Sequence, residues 1–201
     1  MKTLVLATGN PGKLKEMGEI LQPLGWNVRP QKEFFSSEAD ETGLSFVENA
    51  ILKARYACEQ TGLPAIADDS GIEVNALHGR PGIYSARYAA LDGGGNASDE
   101  ANLQKLLQDM DDVPSCMRQA SYYCAMAFCR FAEDPTPLIG LGRWQGEIGY
   151  EPKGDGGFGY DPIFNLPELG KTAAELSKEE KNHISHRAQA LQALVQQIKA
   201  L

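Results

Sequence analysis

The 201-residue chain has no long apolar run, no excess of positive charge and no paired cysteine motif. No stretch approaches the roughly 20 apolar residues that a membrane span needs. The apolar run within residues 1–7 is also too short for a secretory signal. The net charge of -8 argues against a broad surface for a nucleic-acid backbone. These absences favour a small phosphorylated ligand, held by a local basic pocket or a metal ion, over a polymer or a membrane.

The sulfur and imidazole side chains do not form a metal-binding pattern. Four cysteines show no C-x-x-C spacing, and we expect reduced thiols used mostly as small core residues. His183 and His186 stand three residues apart, but no further histidine or spaced cysteine completes a zinc site. With no export signal in the sequence, we expect a cytoplasmic protein.

The order of apolar residues predicts an α/β protein that opens with a β-loop-α unit. Residues 3–7 read as a buried strand, and Leu14, Met17, Leu21 and Leu24 recur with helical spacing after it. An apolar fraction of 42% supports a sizeable core, and the length fits one domain spanning residues 1–201 or two lobes that share a core.

The rest of the chain alternates between predicted helices, strands and glycine-rich loops. We predict helices over 45–58 and through Leu103–Leu107, and strands over 64–67, 72–77, 121–131 and 138–148. Residues 79–88 read as a loop. A capping box from Ser177 to Glu180 predicts one C-terminal helix, whose buried stripe is Ile184, Ala188, Leu191, Val195 and Ile198.

The loop between the first strand and helix is a candidate phosphate-binding segment. It comprises Thr8, Gly9, Asn10, Pro11, Gly12 and Lys13. Backbone N–H groups, the positive end of a helix and a lysine together bind phosphate well. The segment is not a Walker A loop, because Leu14 follows the lysine where serine or threonine is required. An ordinary turn with a solvated lysine is the alternative.

Asp68, Asp69 and Ser70 follow the strand predicted over 64–67. Adjacent carboxylates repel, so a cation beside them is favoured, and Mg²⁺ takes one or two carboxylates together with water and phosphate oxygens. One of these acids could orient the attacking water. Asp40 and Glu41, before the second helix, offer a third acid. A polar turn with capping aspartates is the alternative.

Two further segments offer groups that suit a nucleotide base. Residues 154–159 formally contain G-x-G-x-x-G, but Tyr-Asp-Pro follows, which does not open a helix, so we reject a dinucleotide fold. Glycines around Phe158 instead suit stacking on a flat ring. Lys181, His183, His186 and Arg187 crowd the last predicted helix and could reach the oxygens of a ligand. Packed aromatics and solvated helix charges are the alternatives.

Seven segments in order resemble the inosine triphosphate pyrophosphatase family, in particular its bacterial, RdgB-like branch. They are Thr8–Lys13, Glu41–Gly43 with Glu48–Ala50 and Lys53, Ala67–Gly71, Pro81–Arg87, Gly156–Pro162, Lys171–Leu176 and Ile184–Arg187. The resemblance covers nearly the whole chain. It implies an elongated mixed β-sheet flanked by helices, with a nucleotide cleft between two lobes, and a homodimer.

The resemblance also implies an activity and assigns roles to residues. It implies hydrolysis of ITP, dITP and XTP to a monophosphate and pyrophosphate, which keeps deaminated bases out of DNA and RNA. Asp69 is then the acid that activates water. Glu41, Asp68 and Asp69 face Mg²⁺. Substrate would be contacted by Thr8–Lys13 at the triphosphate, by Ser70, and around the base by Phe158, Gly159, Tyr160, Asp161, Lys181, His186 and Arg187.

Two other functions compete with this interpretation. One is a Maf-like nucleotide pyrophosphatase that prefers modified pyrimidines or other nucleotides. The segments Gly156–Asp161 and Ser185–Arg187 argue against it. The other is a non-catalytic nucleotide-binding regulator, which would lack the acids at positions 68 and 69. The sequence provides no account of how a pocket would accept xanthine and reject guanine.

Overall fold

The computed structural model describes residues 1–8, 11–91, 95 and 97–200. Its strands are β1 (Lys2–Ala7), β2 (Trp26–Pro30), β3 (Ala65–Val74), β4 (Gln119–Cys129), β5 (Leu138–Ile148), β6 (Phe164–Leu166) and β7 (Lys171–Thr172). The helices are α1 (Pro11–Leu21), α2 (Phe46–Thr61), α3 (Asp99–Asp109), α4 (Lys178–Ile184) and α5 (His186–Ile198). Short 3-10 helices cover Gln22–Leu24, Gln31–Glu33, Asn75–Leu77, Gly82–Ala90, Ser115–Met117, Asp161–Ile163 and Ala173–Glu175.

The strands form one mixed seven-stranded sheet in the order β2-β1-β3-β4-β5-β6-β7. β1 pairs in parallel with β2 and with β3, whereas β6 pairs antiparallel with β5 and β7. The predicted α/β class with a mixed sheet is therefore confirmed. Within the described residues, no helix combines the length and apolarity needed to cross a bilayer.

The chain packs as two compact units, and each has its own core. The first unit comprises Met1–Asp69, Cys124–Gly142 and Gln189–Leu201, and its core includes Leu4, Leu21, Ile66, Phe128 and Leu194. The second comprises Ser70–Tyr123 and Arg143–Ala188, and its core includes Ile72, Leu106, Trp144, Ile163 and Phe164. Three of the four cysteines are buried, as expected, but Cys116 is exposed.

The predicted break between two strands at residues 68–71 is wrong. β3 is one continuous strand of ten residues, and Asp68 to Gly71 lie in its middle. The polar residues do not end the strand because their side chains find partners: Asp69 bonds to side chains of α2, and Ser70 bonds to Arg187. The second predicted strand, over 72–77, also ends early, since Asn75–Leu77 forms a 3-10 turn.

Three predictions about helical segments and loops also need correction. The C-terminal helix is broken at Ser185, whose extended backbone (φ -67°, ψ 159°) separates α4 from α5 and whose hydroxyl accepts from the Ala188 N–H. Ile184 is consequently 36% exposed, outside the buried stripe formed by the other four residues. Leu24 lies in a 3-10 turn beyond α1, and much of the predicted loop 79–88 is 3-10 helix.

Candidate active site

In the first unit, helix α2 brings together a group of polar side chains around Asp69. Ser45 caps the start of this helix. Asn49 and Lys53 stand four residues apart within it, so their side chains lie on one face. Asn49 Nδ2 donates to Asp69 Oδ2 at 3.3 Å, and Lys53 Nζ donates to Asp69 Oδ1 at 2.9 Å. Lys53 Nζ also donates to Glu41 Oε1 at 2.8 Å. One helix therefore fixes both oxygens of Asp69 and connects that carboxylate to Glu41.

The surroundings of Asp69 make it a stronger proton acceptor than an exposed aspartate. Burial raises the pKa of Asp69 above its usual value, and the positive charge and hydrogen bond of Lys53 only partly offset this effect. Burial opposes the charged form of Lys53, but the carboxylates of Asp69 and Glu41 raise the pKa of Lys53 above its usual value. Lys53 therefore stays charged at neutral pH.

The donor set around Lys53 fits a hard divalent cation in its chemistry. The carboxylates of Glu41 and Asp69 approach one point, where the structure places an ammonium group. Mg²⁺ commonly takes one or two protein carboxylates and completes its shell with water and phosphate oxygens. Asp68 precedes Asp69 on β3, and because side chains alternate along a strand, the two are expected on opposite faces. The part of the chain that the structure describes contains no group of three or more metal-binding acids, cysteines and histidines.

In the second unit, most of the predicted base-binding residues surround one cavity of about 200 Å³. Among the residues that line it are Ser70, Phe158, Gly159, Tyr160, Asp161, His186 and Arg187. Arg187 Nη2 donates to Ser70 Oγ at 3.0 Å. Residues 70, 158–161 and 186–187 are distant in sequence, and the fold places them around the same space.

The loop that carries Phe158 is organised by the buried carboxylate of Asp161. Its Oδ2 accepts from the Phe158 N–H at 2.9 Å and from the Lys181 ammonium. The Tyr122 hydroxyl forms a hydrogen bond to the same side chain, and burial followed by the negative charge of Asp161 raises the pKa of Tyr122 well above its usual value. Gly157 has a left-handed φ of +74°, and a Cβ there would meet the Asp161 carboxylate. Lys181 therefore helps to hold this loop, and its contact with substrate stays a prediction.

Phe158 and His186 have different surroundings. The Phe158 ring is 53% exposed and lies 5.3 Å from Lys181 Nζ and 5.1 Å from the Arg187 guanidinium, a cation–π arrangement. His186 is buried and stacks on Tyr122 with 4.8 Å between ring centroids and 9° between planes. The predicted role of Phe158 in base stacking matches an exposed ring. His186 is held as part of an aromatic stack.

Two residues of the second unit that the sequence analysis did not identify, Asp99 and Ser85, also line this cavity. Asp99, at the start of α3, accepts from the Gly159 N–H at 2.8 Å, and the Tyr160 hydroxyl donates to the Ser85 carbonyl at 2.8 Å. Both contacts join segments 60 or more residues apart, so no local pattern reveals them. In the first unit, Asn49 lies in a segment that carries the family resemblance, but its contact with Asp69, 20 residues away, follows from no local pattern.

Much of the predicted phosphate loop cannot be compared. Gly9 and Asn10 lie outside the described residues, and so do the side chains of Pro11 and Lys13. Thr8 follows β1, with its N–H bonded to the Leu6 carbonyl at 2.9 Å, and α1 begins at Pro11. The predicted strand-loop-helix order is present, and the role of the loop stays a prediction.

Known proteins match this chain along nearly its whole length. The model of the Ham1 family matches residues 4–197. A dITP/XTP pyrophosphatase from Pectobacterium atrosepticum is 56% identical over 199 residues, which is 99% of both chains, and one from Escherichia coli strain K12 is 55% identical with the same coverage. The solved structure of a HAM1 protein from Coxiella burnetii matches with a TM-score of 0.93 at 49% identity and covers 100% of both chains.

These matches confirm the resemblance inferred from the seven sequence segments. The structural similarity to the Coxiella burnetii protein also shows that the mixed sheet and its helices follow a known arrangement. Because the family model and full-length relatives agree across the fold, this chain belongs to the Ham1 family.

Proposed function

We propose that this protein is a dITP/XTP pyrophosphatase, which hydrolyses dITP, XTP and ITP to the nucleoside monophosphate and pyrophosphate. The observation that carries the proposal is the identity of about 55% over 99% of the chain with proteins of that name. The polar group around Asp69 and the base-sized cavity of the second unit provide the chemistry that such a reaction requires.

Asp69 is the proposed general base. A water oxygen attacks the α-phosphorus while Asp69 accepts its proton, and the bond from that phosphorus to the bridging oxygen breaks, releasing pyrophosphate. Lys53 and Asn49 hold the two oxygens of Asp69, and each oxygen retains a lone pair for the water. A raised pKa makes Asp69 a stronger base than an exposed aspartate.

The proposed cofactor is Mg²⁺, held by Asp69 and Glu41, with Asp68 nearby in the sequence. When bound, the ion would neutralise phosphate charge and polarise the reacting phosphoryl group. The side chains at the site carry two carboxylates and one ammonium, so they retain a formal negative charge for a cation. Thr8, the backbone of residues 9–12 and Lys13 are the proposed partners of the leaving pyrophosphate.

Base selection is proposed to occur in the cavity of the second unit. Hypoxanthine and xanthine carry an acceptor at O6 where adenine carries an amino donor, so donors such as Arg187 or His186 favour the keto form. A mismatched buried donor costs roughly 1–3 kcal/mol, and several such contacts together give strong discrimination. The exposed ring of Phe158 offers a surface on which the purine stacks.

The organisation of the chain, its assembly and its location belong to the same proposal. We propose that residues 1–201 act as one domain with two lobes. A homodimer in the cytoplasm is the assembly and location that we propose.

The experiment measures pyrophosphate and monophosphate release from ITP, XTP, GTP, ATP and dTTP, each with Mg²⁺ and with EDTA. We expect metal-dependent turnover of ITP and XTP far above the others. Asp69→Asn should lower kcat by at least about 100-fold, because the general base is lost. Turnover of dTTP well above ITP would favour a Maf-like activity instead. Binding of ITP without any hydrolysis by the wild type would favour a non-catalytic regulator.

A further inference from the structure

The segment Glu48-Asn49-Ala50 stands at the start of α2 and has two separable tasks. Glu48 Oε2 accepts from the Leu44 N–H at 3.0 Å and from the Ser45 hydroxyl at 2.8 Å, which closes the first turn of the helix. Ala50 is buried in the core. Glu48 therefore stabilises the start of α2 and Ala50 fills the core. The side chain of Asn49 does neither.

Asn49 is a fully buried amide that bridges two segments. Its Oδ1 accepts from the Gly43 N–H at 2.9 Å, and its Nδ2 donates to Asp69 Oδ2 at 3.3 Å. The chemistry of the partners fixes the orientation of the amide, because an N–H requires the oxygen and a carboxylate requires the nitrogen. An aspartate of the same size would keep the first bond and lose the second.

Asn49 and Lys53 both bond to Asp69, and each also bonds to a residue of the segment 41–43. Lys53, one turn later, bonds to the other oxygen of Asp69 and to Glu41, while Asn49 bonds to Gly43, two residues beyond Glu41. A Cβ on Gly43 would lie 2.6 Å from Glu48 Cβ and 2.7 Å from Asn49 Oδ1, so this segment runs directly against α2. With only Lys53, the carboxylate of Asp69 would be free to rotate about a single contact.

We propose that Asn49 is a positioning residue, which fixes the plane of the Asp69 carboxylate for proton transfer. The inference rests on the proposed function of Asp69 as the general base. Proton abstraction depends on the placement of the accepting oxygen, so a carboxylate that turns away is a poorer base even when the substrate binds normally. The effect of losing Asn49 therefore belongs in kcat and not in KM.

The experiment compares Asn49→Ala and Asn49→Asp with the wild type, using ITP and Mg²⁺. Both variants should lower kcat by about 10- to 100-fold, the range found for groups that orient ligands at active sites, with KM within about threefold. Ser45→Ala is the matched control, because it removes the cap of the same helix without touching Asp69. It should lower the unfolding temperature while kcat stays within about twofold of the wild type.

Hydrogen exchange at the Gly43 amide separates the two ends of the bridge. The amide should be protected in the wild type and in Asn49→Asp, which retains an acceptor, and should exchange faster in Asn49→Ala. A folded Asn49→Asp protein with wild-type kcat would overturn the proposal, because it lacks the donor to Asp69. Failure of the proposed function is distinguishable, since it would appear as a wild type that does not hydrolyse ITP at all.

Discussion

Replacing Asp161 by alanine should lower the stability of the protein and weaken substrate binding. The carboxylate is 2% exposed and accepts from the Phe158 N–H, the Lys181 ammonium and the Tyr122 hydroxyl. Alanine leaves all three donors without this acceptor, and Tyr122 lies in the core. The loop that positions Phe158 loses its central contact at the same time.

The magnitude follows from the burial of the two charges. Removing one member of a buried ion pair costs about 3–5 kcal/mol. The Lys181 side chain is 18% exposed, so water relieves part of the penalty and we expect about 3 kcal/mol, the lower end of that range. For a chain of this size each kcal/mol lowers Tm by roughly 2–4 °C, which predicts a decrease of about 6–12 °C. Asp161→Asn keeps one acceptor oxygen for the Phe158 N–H and should lose about half as much.

The assay is thermal unfolding at pH 7 combined with steady-state kinetics on ITP. Glu151→Ala is the control, because its ion pair with Lys153 is 3.4 Å long but 72% and 59% exposed, and should be worth less than about 1 kcal/mol. We expect KM for ITP to rise in Asp161→Ala. If its Tm stayed within about 2 °C of the wild type and KM did not change, Asp161 would not organise the loop.

Three other predictions concern separate parts of the chain. Lys13→Ala should chiefly raise KM for ITP, because a lysine at the proposed phosphate loop binds the triphosphate; an unchanged KM would remove it from that role. Lys53→Met should move the acidic limb of the pH profile of kcat/KM to higher pH, since the lysine charge lowers the pKa of Asp69; a fixed limb would contradict this. Gly140→Ala should destabilise the fold by about 1–3 kcal/mol in denaturant titration, because its Cβ would meet the Ala190 carbonyl and Leu194; unchanged stability would refute that contact.

The parts of the fold that the sequence predicted correctly are those with local causes. The strand over 138–148 coincides with β5, and the capping box at Ser177 and Glu180 starts α4. In both cases the relevant side chains are neighbours in the sequence, so periodicity or a capping pattern is sufficient. The family resemblance rested on the order of seven segments, and it correctly indicated the fold.

The errors arose where distant partners override a local signal. Asp68 to Gly71 has the composition of a turn, yet β3 continues through it because α2 and Arg187 supply donors for its side chains. Ser185 looked like an ordinary helical residue, but as a cap for α5 it stabilises a break. The roles of Asn49 and Asp161 depend on contacts with Asp69 and Tyr122, which no spacing rule connects.

The balance of charge around Asp69 explains why one lysine is not enough for the proposed reaction. Lys53 offsets one of the two carboxylates that contact it, so the three side chains keep a formal negative charge. A triphosphate approaching that charge is repelled, and repulsion at contact distances amounts to about 1–4 kcal/mol per charge pair in a partly solvated site. A second lysine would remove the repulsion, but it would also lower the pKa of Asp69 and weaken the base. A divalent cation that arrives with the substrate would relieve the repulsion without a second permanent positive charge, because it takes phosphate oxygens as well as carboxylates as ligands. We therefore expect hydrolysis to depend on the metal through the nucleotide complex, with apparent affinity for Mg²⁺ following the concentration of substrate.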